Sequence, residues 1–108
     1  MRRKPAKPKP VPRGKPLPGS SLLVVDLGNS ETVIGLFTGE RLTSHWRVGS
    51  VKRTADEVAL LVRSLTGREP GDPPAARSVL CSVVPTATRD FALALENITG
   101  RPPLVVDQ

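Results

Sequence analysis

The chain has 108 residues, of which 38% are hydrophobic and 24% are charged, and its formal net charge at pH 7 is +6. This length is sufficient for one small hydrophobic core, and the apolar content is ordinary for a folded domain. Apolar runs such as residues 22–25 are far shorter than the roughly 20 residues of a membrane-spanning helix, so no membrane partner is expected. One cysteine, Cys81, excludes an internal disulfide and fits a reducing cytoplasm.

The positive charge is concentrated in an N-terminal tail, residues 1–20. Residues 1–19 hold seven of the 16 basic residues and six of the 12 prolines, and they contain no acidic residue. Such a sequence buries too little apolar surface to fold, so we expect an extended tail before a near-neutral domain over residues 21–108. It lacks the apolar stretch of a secretory signal, and its prolines exclude the helix of a transit peptide. A solvated extension is the favoured interpretation, and a weak contact with nucleic acid or acidic lipid is the alternative.

The first part of the domain is predicted to be three antiparallel strands. Residues 22–27 begin with the apolar run 22–25 and predict a central, buried strand, which a short polar turn joins to a second strand at residues 32–37. A second turn leads to a third strand at residues 41–48, in which polar and apolar residues alternate.

The polar turn between the first two strands has the composition of a phosphate-binding hairpin. Gly28 has no Cβ, so its amide could approach a phosphate oxygen closely, and Asn29, Ser30 and Thr32 are short polar donors suited to the same anion. Asp26, at the end of the first strand, is compatible with a phosphate if Mg²⁺ lies between them. The residue types alone leave two interpretations open, a Mg-nucleotide site and an ordinary tight hairpin.

A helix is predicted to follow the third strand. Thr54 and Glu57 have the spacing of a capping box at a helix start, Asp56 lies in the first turn, and Gly67 marks the end. Its predicted apolar face consists of Val58, Leu61, Val62 and Leu65. Residues 68–76 are rich in proline and glycine and predict a surface loop.

The last predicted elements are a strand, a helix and a short strand. Residues 78–84 are almost all apolar, which predicts a strand covered on both faces with Cys81 buried as a small hydrophobe. Pro85 suits the first position of a second helix, and Gly100 its end. Phe91, Leu95 and Ile98 mark the buried side of this helix, and residues 104–106 form the last strand.

Several other residues admit both a functional and a structural interpretation. For Arg53, Thr54, Asp56 and Glu57 a capped helix start is favoured over a functional role, and for Trp46 a packing anchor or subunit contact is favoured over a stacking platform. Ser82 lies at a strand end, where it either borders an active site or only sets the following helix start. A nucleophilic Cys81 is not favoured, because the single histidine, His45, lies on a predicted exposed strand.

Five segments resemble, in family order, the beginning of a type III pantothenate kinase. They are DLGNSETVIGLF at 26–37, HWR at 45–47, RTADE at 53–57, SVVP at 82–85 and PLVV at 103–106. Ser30 stands where the family usually has Thr, and Leu27 where Val is common. The family belongs to the actin-like ATPase superfamily, so the resemblance implies an α/β, RNase H-like subdomain. Three antiparallel strands would be followed by alternating helices and strands, with the subdomain incomplete at its C-terminus.

The resemblance implies ATP-dependent phosphorylation of pantothenate to 4'-phosphopantothenate, the first step toward coenzyme A. It also implies Mg²⁺, a monovalent cation (K⁺ or NH₄⁺) and a cytoplasmic homodimer, and it gives no reason to expect a nucleic-acid partner. The nucleotide-binding residues that it implies are Asp26, Leu27, Gly28, Asn29, Ser30, Glu31, Thr32 and Val33. Asp26 is in addition the implied metal ligand.

Members of the family continue beyond the PLVV strand into a Gly-Ala-Asp-Arg segment that carries the catalytic aspartate, and into a second domain. The chain ends at Gln108, so we expect only the opening portion of such an enzyme, inactive alone and with no assignable catalytic base. We also expect apolar side chains left without cover, namely Val79, Val83, Leu104 and Val106. A non-catalytic nucleotide-binding or accessory transcription-regulator homologue, and a nucleic-acid-binding protein led by the basic tail, remain alternatives.

Overall fold

The computed structural model describes residues 21–67 and 75–107. The predicted tail and most of the predicted loop at 68–76 therefore lie outside the described residues. The elements occur in the predicted order, as β1 (Ser21–Leu27), β2 (Glu31–Thr38), β3 (Arg41–Gly49), α1 (Ala55–Thr66), β4 (Arg77–Ser82), α2 (Pro85–Thr99) and β5 (Leu104–Asp107). Neither helix of these ranges is long and apolar enough to cross a membrane.

The five strands form one sheet in the order β3-β2-β1-β4-β5, so the predicted central position of β1 is confirmed. β1 pairs antiparallel with β2 and parallel with β4, and β4 pairs parallel with β5. α1 connects β3 with β4, α2 connects the parallel neighbours β4 and β5, and the two helices pack against each other. The carboxyl ends of β1, β4 and β5 consequently lie at the same edge of the sheet.

The hydrophobic core lies between the helices and one face of the sheet. Alternate residues of β1, namely Leu23, Val25 and Leu27, are buried there because side chains of a strand point to opposite faces in turn. They join one cluster with buried residues of the other elements, among them Ile34, Leu36, Val58, Val62, Leu80, Phe91, Leu95 and Ile98. We call the face of the sheet that packs against the helices the helix face, and the opposite face of the sheet the open face.

The prediction that both faces of β4 are covered is wrong for the described residues. The strand ends at Ser82, and burial alternates along it, with Val79 and Cys81 only half-buried on the open face. Val83, Leu104 and Val106 are exposed by 40%, 66% and 40%, which confirms the expectation for these three. The apolar run predicted two covered faces because hydrophobicity alone does not show which elements pack on a strand.

The helix boundaries agree with the predicted signals. α1 begins after Thr54, and Gly67 and Gly100 both adopt the left-handed conformation that ends a helix without a Cβ penalty. The buried face of α1 is rotated from the prediction: it consists of Val58, Ala59, Val62 and Thr66, whereas Leu61 and Leu65 are only half-buried. The hydroxyl of Thr66 donates to the Val62 carbonyl at 2.8 Å, which allows a polar side chain to be buried there.

Candidate functional site

Three segments meet at the edge formed by the carboxyl ends of the parallel strands. They are the turn at residues 28–30, the linker at residues 50–54 between β3 and α1, and the start of α2. The Val83 amide donates to the Leu27 carbonyl at 3.1 Å, which keeps the ends of β1 and β4 together. Ligands of open α/β sheets bind at this edge, so these segments form the candidate site.

Gly28 is needed for the shape of the turn. Its amide donates to the Glu31 carbonyl at 3.0 Å, and a Cβ on this residue would lie 2.8 Å from that oxygen. In this structure the Gly28 amide is therefore used inside the hairpin and is not directed at a ligand, in contrast to the expectation. Within the described ranges no hydrogen-bond partner is found for the amides of Asn29 and Ser30, so these two donors are available to an anion.

Thr32 also differs from its expected role as a phosphate donor. Its side chain is fully buried, and its hydroxyl lies 2.8 Å from the Ser50 hydroxyl on the helix face. Leu27 is part of the core, and Val33 is half-buried on the open face. Of the segment 26–33, the exposed residues are Asp26, Asn29, Ser30 and Glu31.

Asp26 is exposed on the open face at the end of the central strand. In register it lies between Val33 of β2 and Cys81 of β4. No group of three or more His, Cys, Asp or Glu residues that could hold a metal occurs in the described part of the chain. One carboxylate beside a phosphate site still fits Mg²⁺, which is usually held by one or two carboxylates together with phosphate oxygens and water.

A second charged pair lies beside the turn. The Arg47 guanidinium donates to the Glu31 carboxylate at 2.9 Å, and the two side chains are 65% and 57% exposed. An exposed pair of this kind stabilises the fold by less than about 1 kcal/mol. It does place a cation near the candidate phosphate site, and sequence reasoning missed it because the partners are 16 residues apart.

The linker from β3 to α1 is bonded to the turn. The Ser50 amide donates to the Ser30 carbonyl at 2.9 Å, and the Arg53 guanidinium donates to the Gly49 carbonyl at 3.0 Å. Thr54 and Glu57 form the predicted capping box, with bonds of 3.2 and 2.8 Å, so the structural interpretation of these two residues is confirmed. Sequence reasoning missed Ser50, since a lone serine after a strand carries no recognisable signal.

Ser82 serves the start of α2. It is 4% exposed, and its hydroxyl accepts from the Val84 amide at 3.0 Å and from the Thr88 hydroxyl at 2.8 Å. These bonds favour the interpretation that Ser82 sets the helix start. Trp46 is partly buried against the core, as expected for a packing anchor. Cys81 and His45 lie on β4 and β3, with β1 and β2 between them, so they do not form a nucleophilic pair.

A cavity of about 280 Å³ lies between the three segments. It is lined by Leu27, Gly28, Asn29, Ser50, Val51, Lys52, Arg53, Val84, Thr86, Ala87, Asp90 and Phe91. Its lining is apolar towards the core, and the charged residues come from the linker and from α2. The N-terminus of α2 beside it has no side-chain cap and no acidic residue in its first turn. The arrangement suits a small polar ligand placed next to the turn.

Comparison with known proteins gives a consistent family match. The profile of the family described as type III pantothenate kinase matches residues 22–108. The type III pantothenate kinase of Acidothermus cellulolyticus is 42% identical over 86 residues, which are 79% of this chain and 34% of that protein. Those of Moorella thermoacetica and Thermus thermophilus are 40% and 38% identical over 87 residues, again 34% of each protein. The chain thus spans about a third of the length of these relatives.

Two solved structures share the fold. The ethanolamine utilization protein EutJ from Carboxydothermus hydrogenoformans matches with a TM-score of 0.54 and 12% identity, covering 80% of this chain and 44% of that chain. A ROK hexokinase from Thermus thermophilus matches with a TM-score of 0.55 and 22% identity, covering 81% and 33%. At these identities the likeness concerns the fold alone. It confirms the predicted mixed α/β fold of the subdomain.

Proposed function

The chain belongs to the type III pantothenate kinase family, and we propose that it supplies the phosphate-binding part of an enzyme that phosphorylates pantothenate with ATP. The product is 4'-phosphopantothenate, and the reaction is the first step toward coenzyme A. The observation that carries the proposal is the exposed Asp26 at the carboxyl end of the central strand, beside a turn whose shape requires Gly28. Family membership supports a kinase, and therefore ATP as the phosphoryl donor.

The residues of the segment 26–33 other than Asp26 divide into two groups in this proposal. Asn29 and Ser30 contact phosphate oxygens through their amides and side chains, because these groups are exposed at the turn. Glu31 borders the nucleotide and orients Arg47 towards it through their ion pair. The remaining four residues, Leu27, Gly28, Thr32 and Val33, hold the hairpin in shape and border the nucleotide.

Asp26 is the proposed ligand of Mg²⁺. Its carboxylate is exposed, belongs to no ion pair with the described residues and lies near the end of a strand that the core fixes in place. Bound Mg²⁺ neutralises charge on the transferred phosphoryl group. The monovalent cation, K⁺ or NH₄⁺, follows from the family alone, and no described residue is assigned to it.

The role of this part of the enzyme is positioning. Phosphoryl transfer depends mainly on holding the phosphates in line with the acceptor hydroxyl and on stabilising their charge. A turn that is closed by the Gly28–Glu31 bond and supported by the core meets that need. We assign no catalytic base to the described residues. From the family resemblance we also propose that the enzyme is a homodimer and that it is cytoplasmic.

The test uses the full-length protein that contains this sequence. With γ-labelled ATP, Mg²⁺ and pantothenate we expect labelled 4'-phosphopantothenate, and an analogue without the terminal hydroxyl should give none. Binding of ATP without turnover would favour a non-catalytic nucleotide-binding homologue instead. A folded protein that neither binds ATP nor forms the product would contradict the proposal.

A further inference from the structure

The buried hydroxyl of Thr32 has one partner in the described part of the chain. Thr32 is 0% exposed, and its Oγ1 lies 2.8 Å from the Oγ of Ser50, 18 residues later in sequence. A buried hydroxyl without a partner is costly, so Ser50 is required for Thr32 to be accommodated under the turn. The pair joins the second strand of the hairpin to the linker before α1.

The linker is bonded to the turn at a second, neighbouring point. The amide of Ser50 donates to the carbonyl of Ser30 at 2.9 Å. Ser50 thus contacts the residue at the tip of the turn through its backbone and the residue two positions further through its side chain. Two contacts, one with the turn and one with the start of β2, fix the turn against both translation and rotation, which one contact does not.

The linker is itself held in place. The amide of Val51 and the guanidinium of Arg53 both donate to the Gly49 carbonyl at 3.0 Å. Thr54 then starts α1 with a closed capping box, and Val58 and Val62 anchor this helix in the core. A continuous set of bonded residues therefore connects the turn with a packed helix.

We propose that Ser50 and Thr32 are positioning residues that hold the turn in its phosphate-binding shape. This inference rests on the proposed function, since the phosphate is the ligand that the turn receives. The paired hydroxyls fix Ser50, and the Ser50 amide in turn holds the Ser30 carbonyl towards the linker, which leaves the amides of Asn29 and Ser30 on the side where an anion binds. The pair also keeps Ser50 in the wall of the adjacent cavity.

The first test needs no ligand. Amide hydrogen exchange is measured on the nucleotide-free full-length protein and on its Ser50→Ala and Thr32→Val variants. Thr32→Val keeps the branched shape and removes the hydroxyl. We expect the Asn29 and Ser30 amides to exchange about tenfold faster in both variants, because the turn opens more often. Thr43→Val is the matched control, since it removes a hydroxyl that donates to Leu36 at 2.9 Å on the same sheet, away from the turn.

The second test measures steady-state kinetics. Ser50→Ala should raise KM for ATP about tenfold while kcat falls less than about threefold, because the pair positions the binding turn and touches no reacting atom. Ser50→Thr keeps the hydroxyl and should restore the wild-type KM. The double variant with Thr32→Val should resemble either single variant, since both remove the same interaction.

Three results would overturn the inference. They are unchanged exchange at Asn29 and Ser30, a KM for ATP within about twofold of wild type in Ser50→Ala, and fully additive effects in the double variant. If Thr32→Val does not fold, the inference is tested by comparing KM for ATP and the exchange of the Asn29 and Ser30 amides between Ser50→Ala and Ser50→Thr. The proposed function fails separately, if the wild-type protein does not bind Mg-ATP even though the exchange result supports a positioned turn.

Discussion

The two faces of the sheet differ in what they contribute. On the helix face of β1, Leu23 and Val25 are completely buried, whereas on the open face Leu22 and Val24 are half-buried and Asp26 is exposed. These residues alternate along one strand, so neighbours in sequence have opposite surroundings. The helix face holds the fold together, and the open face presents the residue proposed to bind the metal ion.

The residues on either side of the hairpin turn lie on both faces of the sheet. Thr32, on the helix face, is tied to Ser50, while Asp26 lies on the opposite face and has no charged partner in the described ranges. The buried Thr32–Ser50 pair and the exposed Asp26 carboxylate therefore lie on opposite faces of the sheet. The comparison implies that substitutions on the two faces should change different measurable quantities.

The largest effect is expected for Asp26→Asn, which keeps the shape of the side chain and removes its charge. Turnover of the full-length protein should fall by ~10²-fold or more, because charge stabilisation at a metal-phosphate site contributes several kcal/mol. The midpoint of unfolding should change little, since the side chain is exposed. Asp56→Asn, in the first turn of α1, is the control and should keep near-normal turnover. Near-normal turnover in Asp26→Asn would contradict the assignment of Asp26 as the Mg²⁺ ligand.

The second prediction compares two neighbouring valines on β1. Val25→Ala should lower the free energy of unfolding by about 2 kcal/mol, because it deletes methyl groups from a completely buried position. Val24→Ala should cost less than about 1 kcal/mol, because this side chain is half-buried on the open face. Equilibrium urea denaturation of both variants measures the difference. Equal losses would mean that the open face is covered as tightly as the helix face.

The third prediction concerns the glycine of the turn. Gly28→Ala should weaken ATP binding about tenfold, because the new Cβ would lie 2.8 Å from the Glu31 carbonyl and the turn must shift. Gly49→Ala is a matched control, since no atom lies within 4 Å of the corresponding Cβ. Calorimetric titration with Mg-ATP compares the two variants. The same affinity in both would show that the turn tolerates the shift.

The smallest effect is expected for deletion of residues 1–19. The sequence of this segment combines seven basic residues with six prolines and contains no acidic residue. Such a composition favours an extended chain that adds little to the core, so the Tm of the full-length protein should change by less than about 1 °C. A thermal unfolding scan of the shortened protein checks this, and a clear loss of stability would show that the segment packs on the domain.

Much of the fold was predictable because its signals are local. The capping box at Thr54 and Glu57, the proline at the start of α2 and the glycines that end both helices each depend on residues a few positions apart. The hairpin was predicted for the same reason, since an apolar strand, a glycine turn and a second strand follow directly in sequence.

The predictions that were wrong required knowledge of distant contacts. Ala59 and Thr66 are buried in α1 in preference to Leu61 because the packing against α2 and the core cluster selects the face of the helix. Cys81 was expected to be buried, but β4 is covered on one side only in the described residues. Neither outcome is encoded in hydrophobicity along the chain.

The sequence by itself determined the element order, the helix ends and the position of the candidate turn, because short-range hydrogen bonds and backbone preferences depend on neighbouring residues. Tertiary structure alone decided which residues of the turn are exposed to a ligand. It placed Asp26 on the open face, used the Gly28 amide inside the turn and paired Thr32 with Ser50. These outcomes follow from strand alternation and from a contact between hydroxyls 18 residues apart, which only the folded chain brings together.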